Sequence, residues 1–173
     1  MFQTLMLQYN KDMFTIAKAE YDDLDRIAEI FSGARKRMKE AGNPDQWKDD
    51  RPSMDLVKKD IDEGNFYVVR DGEKIVGVFA FVIGIDPTYL EIEGSWIDDA
   101  PYGTIHRIAS DGSAKGVFRA VLDYVEQFGV DIRIDTHKDN KAMLHVIVQN
   151  GFQRCGIIIV DDGSERIAFQ KKI

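Results

Sequence analysis

A chain of 173 residues, 44% hydrophobic and 31% charged, is sized for one globular domain and would be cramped as two. Its formal charge of -7 speaks against a general nucleic-acid binder, which needs a basic face, and no run approaches the roughly 18 apolar residues of a membrane-spanning helix. The single cysteine, Cys155, excludes an internal disulfide and fits a reducing, cytoplasmic compartment.

Residues 1–12 lack the basic start and long apolar run of a secretory signal, and are expected to be a flexible extension of a single domain spanning 13–173. Phe14 to Ala19 reads as a short strand. Asp22 is placed to cap a helix whose apolar stripe is Leu24, Ile27, Ala28, Phe31, Ala34 and Met38, ending near Gly42. The basic run Arg35, Lys36, Arg37 and Lys39 falls on that helix and reads as a solvated face. After the Gly42-Asn43-Pro44 turn, Ser53 caps a second helix that Gly64 stops. Phe66 to Arg70 and Lys74 to Ile85 flank Asp71-Gly72, which supplies the positive φ of a tight hairpin. Tyr89 to Trp96 and Tyr102 to Ser110 read as strands separated by the break at residues 98–101, the second the more secure.

Val117, Ala120, Val121, Tyr124, Val125 and Phe128 recur with helical spacing, and Gly129 suits the cap. Asp131 to Thr136 is a short strand, Asn140 to Asn150 a helix ended by Gly151, and Phe152 to Val160 with Arg166 to Lys171 a closing hairpin. Cys155, in an apolar run, reads as a small core residue rather than a nucleophile. The predicted order is β-α-α-β-β-β-α-β-α-β-β, an α/β domain with a mixed sheet. The strand-helix-strand unit from 104 to 136 implies one parallel pair, and ligands of such sheets bind where the chain leaves the strand for the crossover helix.

That exit is Ile108-Ala109-Ser110 followed by a loop of small residues, Gly112, Ser113, Ala114 and Gly116, entering the best helix in the chain. Unpaired amides and the positive end of the helix dipole can hold a pyrophosphate there, and Lys115 could add a charge. From the residues alone, an ordinary strand-to-helix turn fits as well.

With these residues in view, the chain resembles the GNAT superfamily of N-acetyltransferases from residue 13 onward, and in particular a bacterial subgroup. The family's R/Q-x-x-G-x-G/A loop matches Ser113-Ala114-Lys115-Gly116-Val117-Phe118, with only Gly116 strictly conforming. DTHKDNKAMLHVIVQNGF (135–152) resembles its following strand, short helix and Gly-Phe turn, and HRIAS (106–110) and the segment 42–47 add to the likeness. The resemblance implies the acyl-CoA N-acyltransferase fold, acetyl-CoA as acyl donor and no metal. It implies coenzyme contacts from Ile108, Ala109, Ser110, Ser113 to Phe118 and Asn140, the last otherwise a helix cap. A primary amine on a small molecule or a protein is the implied acceptor, and homodimers are common in the family. A non-catalytic acyl-CoA-binding module of the same fold is the alternative.

The implied chemistry is direct attack of an amine on the thioester, with a backbone N–H near Ile108 to Ser110 stabilising the oxyanion. The family's usual acid, a Tyr on the last helix, corresponds to Ile147, which cannot donate. Candidate catalytic residues are therefore His106 and His137, on neighbouring parallel strands, and Glu93; each also has a plain structural reading. His145 is expected to face outward. Trp47, Trp96 and Tyr102 could border the acceptor or fill the core, and Glu91, Glu93, Asp98 and Asp99 could attract a cationic amine or form a solvated loop. No zinc spacing, Walker sequence or dinucleotide fingerprint is present.

Overall fold

The computed structural model describes residues 14–173, so the expectation for residues 1–12 lies outside the described residues. A 3-10 turn, Tyr21–Asp23, precedes the first helix, and the Asp23 carboxylate accepts the Glu20 amide (2.9 Å); Asp23, rather than Asp22, ties this corner. Helix α1 (Leu24–Glu40) then buries Ile27, Ile30, Phe31 and Ala34. Helix α2 (Met54–Asp62) starts as its sequence suggests, with Ser53 Oγ accepting the Leu56 amide at 3.2 Å.

The strands are β1 (Thr15–Lys18), β2 (Phe66–Asp71), β3 (Lys74–Ile83), β4 (Glu93–Gly94), β5 (Tyr102–Ser110), β6 (Asp131–Thr136), β7 (Gln153–Ile159) and β8 (Glu165–Lys171). Helix α3 (Val117–Glu126) links β5 to β6 and α4 (Lys141–Gln149) links β6 to β7. They form one sheet in the order β1-β2-β3-β5-β6-β8-β7-β4, in which β5 and β6 are the parallel pair. The mixed sheet expected from the sequence is present.

One sheet face packs against α3 and α4 through Phe79, Phe81, Ile105, Val121, Leu122 and Ile147. The other is covered in two parts. Helices α1 and α2 cover β2 and β3 around Ile27, Phe31, Phe66 and Val78, while the segment after β3 covers β6 and β8 around Tyr89, Tyr102 and Ala168. Burying each large apolar side chain contributes roughly 1.5–3 kcal/mol before entropy is charged.

The expected strand from Tyr89 to Trp96 is mostly not one. The Asp86 carboxylate accepts the Thr88 amide (2.9 Å), Pro87 opens a 3-10 turn, and only Glu93 and Gly94 join the sheet, opposite Ile157 and Gly156. At that crossing a Cβ on Gly94 would lie 2.2 Å from the Cys155 carbonyl oxygen, so no side chain fits.

Strand β5 is irregular in two respects. First, Val78 pairs with Ala109 but Ala80 pairs with His106, so β5 carries one extra residue, and Arg107 takes a left-handed φ of 53° there. Ile105 and Ile108, three apart, consequently pack against the same cluster, while Ala109 packs on the opposite face. Second, β5 and β6 pair only from Tyr102↔Asp131 to Thr104↔Arg133, although β5 runs on to Ser110 and β6 to Thr136. Beyond Thr104 the two strands part.

Candidate active site

A cleft of about 570 Å³ opens where the strands part, lined from α1 and α2 on one side, from the 85–88 turn on the other, and by Asn140 and Met143 from α4. His106 and Asp86 form one wall, with Nε2 2.7 Å from Oδ2. Burial opposes the charge on Asp86, but the bonds from His106 and the Thr88 amide prevail and hold its carboxyl below the usual range. Beside them, the Tyr89 hydroxyl donates to Asp135 Oδ2 at 2.6 Å. Burial, reinforced by the Asp135 and Asp86 carboxylates, pushes this hydroxyl well above its ordinary pKa, so it remains a donor.

The bulge is pinned from α2. The Arg107 guanidinium lies 2.7 Å from Asp60 Oδ2, with the two side chains 17% and 5% exposed. Burial raises the Asp60 carboxyl even against the neighbouring guanidinium. A third set centres on Gln46, whose Oε1 accepts from Asn43 Nδ2 (3.0 Å), Asn140 Nδ2 (3.0 Å) and Thr136 Oγ1 (3.4 Å). Asn140 also caps α4, its Oδ1 accepting the Met143 amide at 3.2 Å, and it lines the cleft. Arg166, from β8, completes this end.

The loop between β5 and α3 lies at the far end of the same strand. Gly116 caps α3 with φ 84°, the conformation that favours glycine. The amides of Val117, Phe118 and Arg119 have no acceptor among the described residues, as the first turn of a helix requires. Ser113, expected among the anion donors, is engaged instead: its amide (2.9 Å) and hydroxyl (2.6 Å) both donate to Asp111 Oδ1. Asp111 is further held by Arg26 (2.7 Å) and Lys74 (3.2 Å). Burial works against its charge, yet the Ser113 bonds and the Lys74 ammonium keep its carboxyl at about 2. Lys115 is exposed, Ala114 and Phe118 pack partly into the core, and Val117 is buried. The close approach of α3 needs Gly77 on β3, where a Cβ would lie 2.7 Å from Val117 Cγ1.

The other sequence candidates fall elsewhere. His137 is 9% exposed and does not line the cleft; its Nδ1 accepts the Asp139 amide at 3.1 Å and shapes the turn before α4. Glu93 sits on β4 at the outer edge of the sheet, four strands from β5 in the sheet order. Asp98 is engaged by Lys172 and the Ala100 amide, and Glu91 and Asp99 are exposed away from the cleft, so Asp86 and Asp135 supply the carboxylates. Trp47 lines the cleft, whereas Trp96 and Tyr102 sandwich the Arg133 guanidinium, 3.9 and 3.8 Å from their ring centres. Ile147 is fully buried beneath α4 and His145 is exposed. Cys155 is half-buried, and burial raises its thiol. The basic run is only partly solvated: Arg37 donates to the carbonyls of Ser110 and Asp111, and Arg35 to that of Arg51 (3.2 Å). Among the described residues no helix is long and apolar enough to cross a membrane, and no cluster of metal-binding side chains occurs.

Asp86, Asp60 and Arg166 carried no motif, and Asp135 and Gln46 lay in segments noted only for their family likeness. Asp86 precedes Pro87 and could have been read as a turn cap, which it also is; the others become neighbours only through the sheet.

No protein-family model and no curated protein matches the sequence. Solved structures do. A GNAT-family acetyltransferase from Streptococcus agalactiae 2603 superposes with a TM-score of 0.84 at 29% identity, covering 92% of this chain and 95% of that one. A GNAT-family acetyltransferase from Bacillus cereus ATCC 10987 gives 0.60 at 26%, covering 92% and 97%. The NatC complex bound to Gag peptide and CoA shares the fold alone, with a TM-score of 0.57 at 12% identity over 93% and 99%.

Proposed function

The chain belongs to the GNAT superfamily of acetyltransferases, and on that premise we propose that it transfers the acetyl group of acetyl-CoA to a primary amine held in the cleft beside His106. The carrying observation is the parting of β5 from β6 after Thr104. It frees the edge of β5 that a partner strand would otherwise occupy, leaving backbone groups to align an extended pantetheine arm and to stabilise an oxyanion near Ile108 to Ser110. The free amides of Val117 to Arg119 receive the diphosphate, and Asn140 flanks the coenzyme from α4.

An alkylammonium, with a pKa near 10, must lose a proton before it attacks. His106 takes that proton. Asp86 accepts from Nε2 and so holds the tautomer in which Nδ1 carries the lone pair, as the orienting carboxylate of a catalytic triad does. Asp86 and Asp135 draw the cation in, while Trp47 walls the acceptor side. Ile147, in the core, plays no part in protonating the leaving thiolate.

Titration calorimetry with acetyl-CoA, followed by thiol release across an amine panel, tests the reading. Saturable binding and amine-dependent release are expected. Binding without release for any amine would leave a coenzyme-binding module in place of an enzyme.

A further inference from the structure

Arg166 stands out among the cleft residues. It is 5% exposed, yet no carboxylate lies within 4 Å of it among the described residues. Its three hydrogen bonds all go to neutral acceptors: Nη1 to Ser164 Oγ (2.7 Å) and the Glu165 carbonyl (2.9 Å), and Nη2 to the Gln46 carbonyl (3.0 Å). That leaves the Nε hydrogen and one Nη2 hydrogen without a partner among the described residues, on a side chain that lines the cleft. By contrast, the nearby Arg51 is neutralised by Asp161 at 2.7 Å and Arg107 by Asp60 at 2.7 Å. A buried, unneutralised guanidinium is costly, and burial does pull its pKa down, with Asp135, Asp161 and Asp162 acting on it only through space.

Resting on the acetyl-transfer reading, we propose that Arg166 is an anion subsite for the acceptor, so that the acceptor is an amine bearing a carboxylate. Two adjacent donors on a planar fork match one planar carboxylate in bidentate geometry. A doubly charged phosphate would call for a second free cation here, whereas the cleft's other arginines are already paired and Lys59, which also lines it, lies 3.9 Å from Glu63. The opposite charge of such an acceptor is met by Asp86 and Asp135, in the same cleft. The two halves of the site thus read a zwitterion: carboxylates and His106 for the amine, Arg166 for the acid.

The test uses matched pairs, each an amine and the same amine carrying a carboxylate, in acetyl-CoA-dependent thiol release. A preference for the carboxylated member of at least tenfold in kcat/KM is expected, falling to near unity in Arg166→Gln and retained in part in Arg166→Lys. A ratio that survives Arg166→Gln overturns the proposal, as does a preference for phosphorylated amines over carboxylated ones. In parallel, the Arg166 Nε–H resonance of the wild-type protein is followed while an amino carboxylate is added, a readout that needs no turnover. An unmoved resonance rejects the subsite; a shifted one without thiol release keeps the subsite and rejects the transferase reading.

Discussion

His106 and Asp86 reach each other from segments twenty residues apart because β3 and β5 are antiparallel neighbours and the turn after β3 folds back over the sheet. His106→Gln keeps a polar side chain of similar reach but removes the titrating nitrogen. A fall of about a hundredfold or more in kcat/KM is expected, with loss of the acid limb of the pH–rate profile; an unchanged profile would remove His106 from proton transfer. Asp111 gives a second residue-scale prediction. Its folded-state carboxyl lies at about 2 against an ordinary 3.8, so the stabilisation it provides is full above the ordinary value and drains away as pH falls through about 2. Asp111→Asn should cost about 2 kcal/mol at neutral pH, the scale of hydrogen bonds to a charged group, and the loss should shrink in acid. Denaturant melts of both proteins from pH 7 to pH 2 supply the measurement.

At the scale of elements, α3 is where sequence and structure agree best. Its apolar spacing and its place after β5 follow from local pattern, and both are found; the Gly116 cap, with its left-handed φ, was read from the sequence only as a small, motif-conforming loop residue. Gly116→Asp should weaken acetyl-CoA binding at least a hundredfold by setting a carboxylate and a disfavoured φ at the first-turn amides, whereas Gly116→Ala should lose far less; equal losses would point to backbone strain alone. The helices and the hairpins were legible because periodicity and caps are local. Tyr89 to Trp96 was misread because its apolar residues Tyr89, Ile92 and Trp96, three and four apart, pack beneath an irregular segment and not in a ladder. Glu93 was lost as a candidate for the same reason. His137 was legible as a strand end, but two residues of local context, the Asp139 amide, decided its use. Arg166 was invisible, and the role of Gln46 within the 42–47 segment was too, because a partner 120 residues away leaves no periodic trace.

For the molecule as a whole, the sheet is two halves joined by three residue pairs of β5 and β6. A ligand lying along their separated ends would act as a temporary strand between them. Acetyl-CoA is therefore expected to slow amide exchange in residues 105–110 and 134–136 while the β7–β8 hairpin changes little; uniform protection would indicate simple stabilisation by mass action instead. The extra residue at Arg107 has a consequence of its own. It puts β5 half a pleat out of step with itself, so Ile105 and Ile108 agree in direction where an even ladder would oppose them. Excising Arg107 would mend the ladder and leave Ile108 and Ala109 facing as they do, since Ile105 and Ile108 would then stand two apart; pressing Arg107 into an even ladder would instead turn the strand's last three side chains over, Ala109 toward α3. The imperfection is thus a phase shift on which the later chain depends: an even strand of the same length would aim the exit to α3 from the wrong side.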